Sequence, residues 1–564
     1  MEDPFDIVMR YHRQTKHHFN RFARSLGFLD WENQPNPFRR FDGAALATLP
    51  ILGADEAPCS PRYEDLYRPA AAPSVPVSLR SLSRLFEYAL ALSAWKQVGD
   101  TRWALRNNPS SGNLHPTEGY LLIGPDVDPA LATGLYHYAP REHALERRRE
   151  FPEELFARLT GGFPPRAFLV GLSSIQWREA WKYGERAFRY CQHDAGHAIG
   201  TIRIAAAALG WNAMVLDDVA DNTIEELLAL ERDEDFKGAE REEPELIMVV
   251  WPAPDERDGA GSTRSLALHL DPGVVGELTK LRSHGVANRL SADDPVSWEI
   301  IDQVTTASRR PHEEPRTVEL AERADAPGVA ESDGPSAGHI IRQRRSLLAC
   351  DGKTSIAAEV FFRMLSRVIP RADRSVSLRP MPWDGIPWDP TIHLALFVHR
   401  VVDLSPGLYV LPRDPRRTET LRGAMRREFT WTTPAGCPAD LPLYRLVEGD
   451  ARDVATRVSC GQDIAGDGVF SLGMVAEFES VLRRVGAWFY RRLFWETGVI
   501  GQVLYLEAEA AGVRATGIGC FFDDPVHDVF GIPDTAFQSL YHFTVGGPVQ
   551  DPRLTTLPPY GDPV

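Results

Sequence analysis

Cysteine is scarce: six residues are scattered through 564, and no two of them stand in a Cys-x-x-Cys spacing. Neither a zinc site nor a disulfide framework is written in such a pattern, and reduced thiols in a cytoplasmic protein are the expectation. Long apolar runs are missing as well; nowhere do about 20 apolar residues follow one another, as a membrane span requires. The amino terminus, MEDPFDIVMRYHRQTKHHFNRF, lacks the apolar stretch of a secretory signal. Basic charge is in deficit, 62 Lys and Arg against 78 Asp and Glu, for a formal net charge of −16. That balance speaks against nucleic acid and anionic membranes as partners and favours a small-molecule or peptide-derived one. There is no Walker loop, and no Gly-x-Gly-x-x-Gly follows a strand-like run, so a Rossmann-bound nicotinamide is unsupported.

What is present describes a large globular protein, 43% hydrophobic and 25% charged. A chain of this length exceeds one ordinary core, so two large domains are expected. Residues 1–60 read as an arm rich in His, Arg and aromatics, interrupted by Pro35 and Pro37. From Ser78, the residues Leu79, Leu82, Leu85, Phe86 and Ala89 fall on one helical stripe. GYLLIG, after Pro116, reads as a buried strand. Ala180 to Gly210 has helical spacing throughout and predicts one long core helix ending at the glycine. The Pro-, Glu-, Ala- and Gly-rich stretch over 311–338 reads as a linker. The division expected is arm 1–60, first domain 61–310, linker 311–338 and second domain 339–564.

The second domain echoes the first. GLYHYAPREHALERR from Gly134 is matched by GLYVLPRDPRRTETL from Gly407. An ungapped superposition lays Lys182–Tyr190 on Arg484–Arg492, and also Gly196 on Gly498 and Gly210 on Gly512. A duplicated fold follows.

The copies differ in chemistry. The first holds RNNPSSGNLHP, Arg106 to Pro116, whose Ser110, Ser111, Gly112 and Asn113 offer donors and acceptors on a backbone that a flat heterocycle can approach closely. The second has PWDGIPWDP there, with Trp383 and Asp384 in place of the serines. Conversely, the second opens with IIRQRRS, where Arg342, Arg344, Arg345 and Ser346, read as standing just before a helix, offer guanidinium forks, a hydroxyl and backbone N–H groups at a positive helix end, apt for a phosphate. The first copy has LYRPAAAP at that place. Taken singly, a serine-rich loop is as often a turn and three arginines a solvated face. Complementary retention is the stronger signal.

RNNPSSGNLHPTEGYLL, GLYHYAPREHAL, WKYGERAFRYCQHDAGHA and IIRQRRS together resemble the nitroreductase-like flavoproteins, and within them the SagB/ThcOx type of FMN-dependent dehydrogenase. The resemblance implies an α+β fold of two tandem nitroreductase-like domains forming an intramolecular pseudodimer. It implies one FMN site between them, with the phosphate on Arg342, Arg344 and Ser346 and Arg553 a further candidate. Ser110, Ser111 and Asn113 would then meet the ring or ribityl chain, with Arg106 and His115 nearby, and the backbone from Gly517 through Gly519 to Cys520 would line the reactive edge. It also implies a catalytic Lys182–Tyr183 pair, replaced in the second copy by Arg484 and Val485. A desolvated lysine beside a flavin can take a proton while the cofactor takes hydride; the competing reading is an exposed helix face.

The residues leave the redox direction open: dehydrogenation of a ring-containing or peptide-derived substrate, or reduction of an acceptor with NAD(P)H visiting the same pocket. A different class of function, a catalytically idle scaffold recruiting a partner through the arm, also stays open, as does further homo-oligomerisation. HDAGH sets His193 and His197 one turn apart, but Asp194 is shorter than a zincin glutamate and no third ligand is evident, so no metal is expected. His12, His17 and His18 lack ligand spacing and read as surface or interface. WFYRRLFW, Trp488 to Trp495, reads as core.

Overall fold

The structure is a computed structural model that describes residues 2–53, 55–68, 72–253, 263–313, 317–321 and 333–561. Its helices used below are α1 (Pro4–Gln14), α2 (Leu79–Ala89), α3 (Gln176–Tyr183), α4 (Ala187–Ala207), α5 (Ala337–Gln343), α6 (Ala358–Arg367), α7 (Arg452–Val458), α8 (Glu479–Val485), α9 (Phe489–Ala510) and α10 (Asp523–Phe530). Its strands are β1 (Ala45–Thr48), β2 (Leu92–Val98), β3 (Thr101–Arg106), β4 (Thr117–Ile123), β5 (Gly134–Ala139), β6 (Ala144–Glu150), β7 (Phe168–Ser174), β8 (Trp211–Val215) and β9 (Glu243–Pro252) in the first half. The second half has β10 (Ile392–Val398), β11 (Gly407–Leu411), β12 (Tyr444–Glu448), β13 (Phe470–Glu477), β14 (Arg514–Ile518), β15 (Phe537–Gly546) and β16 (Thr555–Leu557).

Seven strands of the first half pair in the order β1-β6-β5-β4-β7-β9-β8, and six of the second in the order β12-β11-β10-β13-β15-β14. Apart from β1, the two orders are the same arrangement used twice, antiparallel throughout. Each half is thus an α+β unit of one kind. Period-2 alternation divides the strand residues between two cores. Leu121, Ile123, Val170 and Leu172 face an inner core, while Tyr120, Leu122 and Leu169 face an outer one. The inner core is continuous with that of the second half, taking in Leu394, Leu396, Leu472 and Met474.

At its centre lie α4 and α9. Every residue of α4 from Ala187 to Ala206 is buried, as is every residue of α9 from Phe489 to Ala508. Helices apolar or sealed on all sides belong in the middle of a large protein. The aromatic run from Trp488 to Trp495 is core accordingly. Contacts advance together along both helices, from Gln192 with Trp495 through Gly196 with Gly498 to Gly200 with Gln502, so they run in the same direction. Where they touch there is no room for side chains: a Cβ at Gly196 would fall 2.3 Å from Trp495 O, and one at Gly498 would fall 2.3 Å from His193 O.

The long helix predicted over 180–210 is broken. α3 ends at Tyr183, and Gly184 turns with φ +54° against the arm, where a Cβ would meet Arg24 O at 2.3 Å. The second copy breaks at the matching glycine, Gly486, with φ +123°. Helical spacing continued across the break because each side presents its own apolar face; the turn recurs at Gly486, where the nearest atoms to a Cβ belong to Trp488 and not to the arm, so the glycine itself is the common feature.

α2 begins at Ser78, whose side chain and that of Ser81 form a reciprocal cap, and buries the predicted stripe from Leu82 to Ala89. The arm is laid over both halves. His12 of α1 reaches Tyr490 Oη at 3.2 Å and Gln538 Oε1 at 2.9 Å, and Lys16 pairs with Asp524 at 2.6 Å. The carboxyl-terminal strand β16 returns the exchange by pairing with β2 of the first half. Part of the expected linker, 314–316 and 322–332, lies outside the described residues. Thr317–Ala321, between these parts, pairs as a strand with Thr263–Ala267. Among the described residues, no helix is long and apolar enough to cross a membrane.

Replacing Gly498 by Leu should therefore lower the unfolding free energy by about 3 kcal/mol or more, because main-chain atoms have to move apart. Gly423→Ala, on an exposed helix with nothing within 4 Å of the new Cβ, should raise it by ~0.5–1 kcal/mol. Paired denaturant titrations check both.

Candidate functional site

The loop after β3 is shaped by its own polar atoms. Ser111 to Asn113 form a single tight turn, with Gly112 at φ 59°, Asn113 at 60° and His115 at 53°. Asn113 Nδ2 donates to Ala104 O at 2.8 Å, the Asn113 amide oxygen lies 3.0 Å from His115 Nε2, and Ser110 Oγ accepts the His115 N–H at 2.8 Å. The Ser111 N–H and hydroxyl both donate to Asp194 of α4, each at 3.1 Å. Arg106 is turned into the protein, donating to Pro37 O and Thr117 O. Arg106 and His115 thus hold the loop from behind, and burial pushes the His115 imidazole well below its usual value.

The turn carries α3 against it. A Cβ at Gly112 would stand 2.6 Å from Tyr183 Oη and 3.1 Å from Lys182 Nζ, so the glycine is what lets the lysine and the phenol reach the loop. Both side chains are half-buried rather than splayed on an exposed face. One helical turn earlier, Glu179 is fully buried, and neither of its carboxylate oxygens has a partner among the described residues. Burial, reinforced by Asp194, raises the Glu179 carboxyl well above its usual value. Burial and then Glu179 raise the Tyr183 phenol likewise. Asp194 is raised to about 7 by burial, against the hydrogen bonds from Ser110 and Ser111 that lower it.

The second half supplies the other side. The arginine cluster does not precede a helix as expected but closes one: Arg342 lies in α5 and Arg344 caps its carboxyl end. Arg344 crosses to the first half and donates Nε to Asn107 O at 3.2 Å and Nη2 to Arg106 O at 3.0 Å, the main chain where the loop begins. Its Nη1 is buried without a partner among the described residues. Ser346 Oγ is 3.1 Å from Tyr505 Oη, which accepts the Gly517 N–H at 3.0 Å. A Cβ at Gly517 would lie 1.8 Å from Tyr541 Oη, and one at Gly519 would lie 2.1 Å from the Tyr190 ring. Tyr190 in turn packs on Tyr183, ring centroids 4.4 Å apart. The hydroxyl loop, the Lys182–Tyr183 pair, the Arg344–Ser346 segment and the glycines of β14 therefore form one contiguous region drawn from both halves. Arg342 Nη1 donates to Glu87 at 2.8 Å. Arg345 binds the carbonyls of Arg342, Arg344 and Ser93. Arg553 is exposed and paired with Asp551, and no contact among the described residues brings it to Arg344.

Comparison with known proteins agrees with this architecture. The family model described as "Nitroreductase family" matches residues 74–239 and 439–547, one segment in each half. "Putative nitroreductase MJ1384" of Methanocaldococcus jannaschii is 30% identical over 181 residues, 31% of this chain and 82% of the relative. The chain belongs to the nitroreductase family. Trifolitoxin-processing protein TfxB of Rhizobium leguminosarum bv. trifolii is 29% identical over 164 residues, 28% of this chain and 44% of that protein. The crystal structure of a "putative nitroreductase" from Anabaena variabilis superposes with a TM-score of 0.67 at 20% identity, covering 96% of this chain and 99% of that one, so the fold is shared through both halves.

Within this nitroreductase-family chain, the equivalent loop of the second half is filled. Asp384 is gripped by Arg203 of α4 through contacts of 2.9 and 2.7 Å, and the buried Trp383 donates its indole N–H to Arg367 O. A cleft of about 530 Å³ remains beside it, lined by Tyr67, Arg363, Arg367 and Arg371 among others. Its arginines are paired with Glu64, Glu507 and Asp440. Several contributors carried no signal in the sequence. Asp194 stood inside HDAGH but anchors the serine loop; His193 meets Thr497 at 2.9 Å and His197 meets Tyr541 at 3.3 Å. Glu179, Tyr190, Tyr505 and Tyr541 matter only through tertiary contacts.

Asp194 has a consequence for pH dependence. Its carboxyl titrates at about 7 when folded and at about 3.9 when unfolded, so between these values the folded chain binds the extra proton. Stability is full below the lower value and is lost as pH rises through the upper one. Asp194→Asn should flatten the fall in unfolding free energy from pH ~4 to ~7, leaving the share of Glu245, also raised to about 7. Denaturant midpoints of the two proteins across that range test it.

Proposed function

We propose that this protein is an FMN-dependent oxidoreductase of the SagB/ThcOx type, with one flavin site between its halves. The observation that carries the reading is Arg344: a buried guanidinium of the second half, hydrogen-bonded to the first half's loop, with one N–H pair still unpartnered. A buried donor of that kind requires an acceptor, and a phosphate oxygen satisfies it. The donor set fits the rest of the cofactor. Ser346 and Arg344 would hold the phosphate, Ser110, Ser111 and Asn113 would stand near the ring or ribityl chain, and the backbone from Gly517 to Gly519, packed against Tyr541 and Tyr190, would lie along its reactive edge. When bound, FMN supplies two-electron redox chemistry.

The protein's part is position and proton transfer. Lys182 Nζ and Tyr183 Oη, both beside Gly112, form the acid–base pair, and burial, with the buried Glu179 one turn below, keeps the phenol protonated. A proton leaving the substrate carbon would pass to Lys182, with the Tyr183 hydroxyl beside it at Gly112. In the second copy arginine occupies the lysine position, and a guanidinium does not give up its proton. The substrate assigned is a peptide-derived ring, in keeping with the likeness to a protein named for processing trifolitoxin.

Purified protein should bind FMN with a yellow spectrum, and Arg344→Gln should weaken retention at least tenfold. Lys182→Ala should keep the flavin and lose about 10²–10⁴ in turnover. A wild-type protein that takes up no FMN ends the flavin reading; full activity in the flavin-bound lysine variant removes the base.

A further inference from the structure

Three side chains spread widely through the sequence meet where the arm crosses the second half. Cys460 follows α7 in a left-handed turn at φ 56°, and Cys520 follows β14. Two hydrogen bonds clasp these segments: the Phe522 N–H donates to Val458 O at 2.8 Å, and Gln462 Nε2 donates to Cys520 O at 2.8 Å. The Cys460 and Cys520 sulfurs lie 2.8 Å apart and share a hydrogen bond. His17 Nδ1 is 3.7 Å from the Cys520 sulfur. The arm is fixed there by the His17 N–H, which donates to Asp523 Oδ2 at 2.9 Å. Both thiols are partly exposed, whereas Cys191 and Cys350 are buried.

We propose that Cys460 and Cys520 form a peroxide-sensitive dithiol that closes to an intramolecular disulfide. The Cys520 thiolate attacks one oxygen of hydrogen peroxide, the O–O bond breaks, and the leaving hydroxide takes a proton to become water. Cys520 then carries a sulfenic acid. Cys460 gives up its proton and attacks that sulfur; the S–S bond forms, the S–O bond breaks, and a second water leaves. Two thiols lose two electrons to one peroxide. Cys520 is the attacking sulfur because it is the one that lies beside His17, at 3.7 Å, and its thiol is held below its usual value by Cys460, His17 and Arg186.

A soft cation is the competing occupant, since the three ligand atoms lie within 4.8 Å of one another. Two thiolates on one tetrahedral zinc stand about 3.8 Å apart, from Zn–S bonds of about 2.3 Å, and the sulfurs here are closer. The Arg186 guanidinium, whose charge acts on both thiols, further disfavours a divalent ion.

The test is peroxide treatment of the purified full-length protein followed by non-reducing digestion and mass spectrometry. The expected product is a peptide pair joined through Cys460 and Cys520, formed at lower peroxide than any oxidation of the exposed Cys59. Cys460→Ser should stop at a dimedone-trappable sulfenic acid on Cys520. Recovery of both residues as free thiols after Cys59 has oxidised overturns the proposal. Stoichiometric zinc that shields both thiols until a chelator removes it does so equally. Flavin content, measured on the same sample, reports separately on the function proposed above.

Discussion

The close approach of α4 and α9 governs the rest of the molecule. Where Gly196 meets Gly498, each position sits within contact of the other helix's main chain, a separation that only glycine permits. Around it the two halves share one apolar core, and the usual cost of exposing a domain face is avoided because neither half has such a face to expose. The arm and the carboxyl-terminal strand then cross in opposite senses, His12 and Lys16 to the second half and β16 to the first. A site assembled from both halves requires this rigidity, since a shift of about 1 Å in catalytic groups is costly.

Fusion of two copies also lets them diverge. In a symmetric pair, any residue that improves one site appears in both; here each half keeps one contribution. The first retains the hydroxyl loop with Lys182 and Tyr183 beside it, and the second retains Arg344 and Ser346. At the opposite place, Trp383 and the Arg203–Asp384 ion pair occupy the space of the loop. A bidentate buried pair of that kind is stable only when complete, so it fixes the loop of the second half in place.

Much of this was legible in the sequence where the signal is local or repeated. The capped stripe of α2, the buried strand after Pro116 and the duplicated GLY segments follow from periodicity and self-similarity, and β5 and β11 stand at equivalent places in the two sheets. The break at Gly184 was missed because a lone glycine is tolerated within helical spacing; its positive φ and its recurrence at Gly486 show it to be the breaker. Asp194 and Glu179 were hidden in helical spacing: a buried carboxylate reads as a polar residue on a helix until the element covering it is known. Arg342, Arg345 and Arg553 carried the composition of a phosphate cradle, yet their guanidinium groups are used by Glu87, neighbouring carbonyls and Asp551. Cys460 and Cys520, 60 positions apart, have no sequence spacing that announces them.

The central claim is that one flavin is held by both halves at once, and its most direct measurement is the crystal structure of the protein soaked with FMN. The account predicts a single FMN per chain, its phosphate on Arg344 and Ser346 and its ring between the loop from Ser110 to Asn113 and the backbone of Gly517 and Gly519. A nucleotide lying wholly within one half, or seated instead in the cleft beside Arg367, would contradict it.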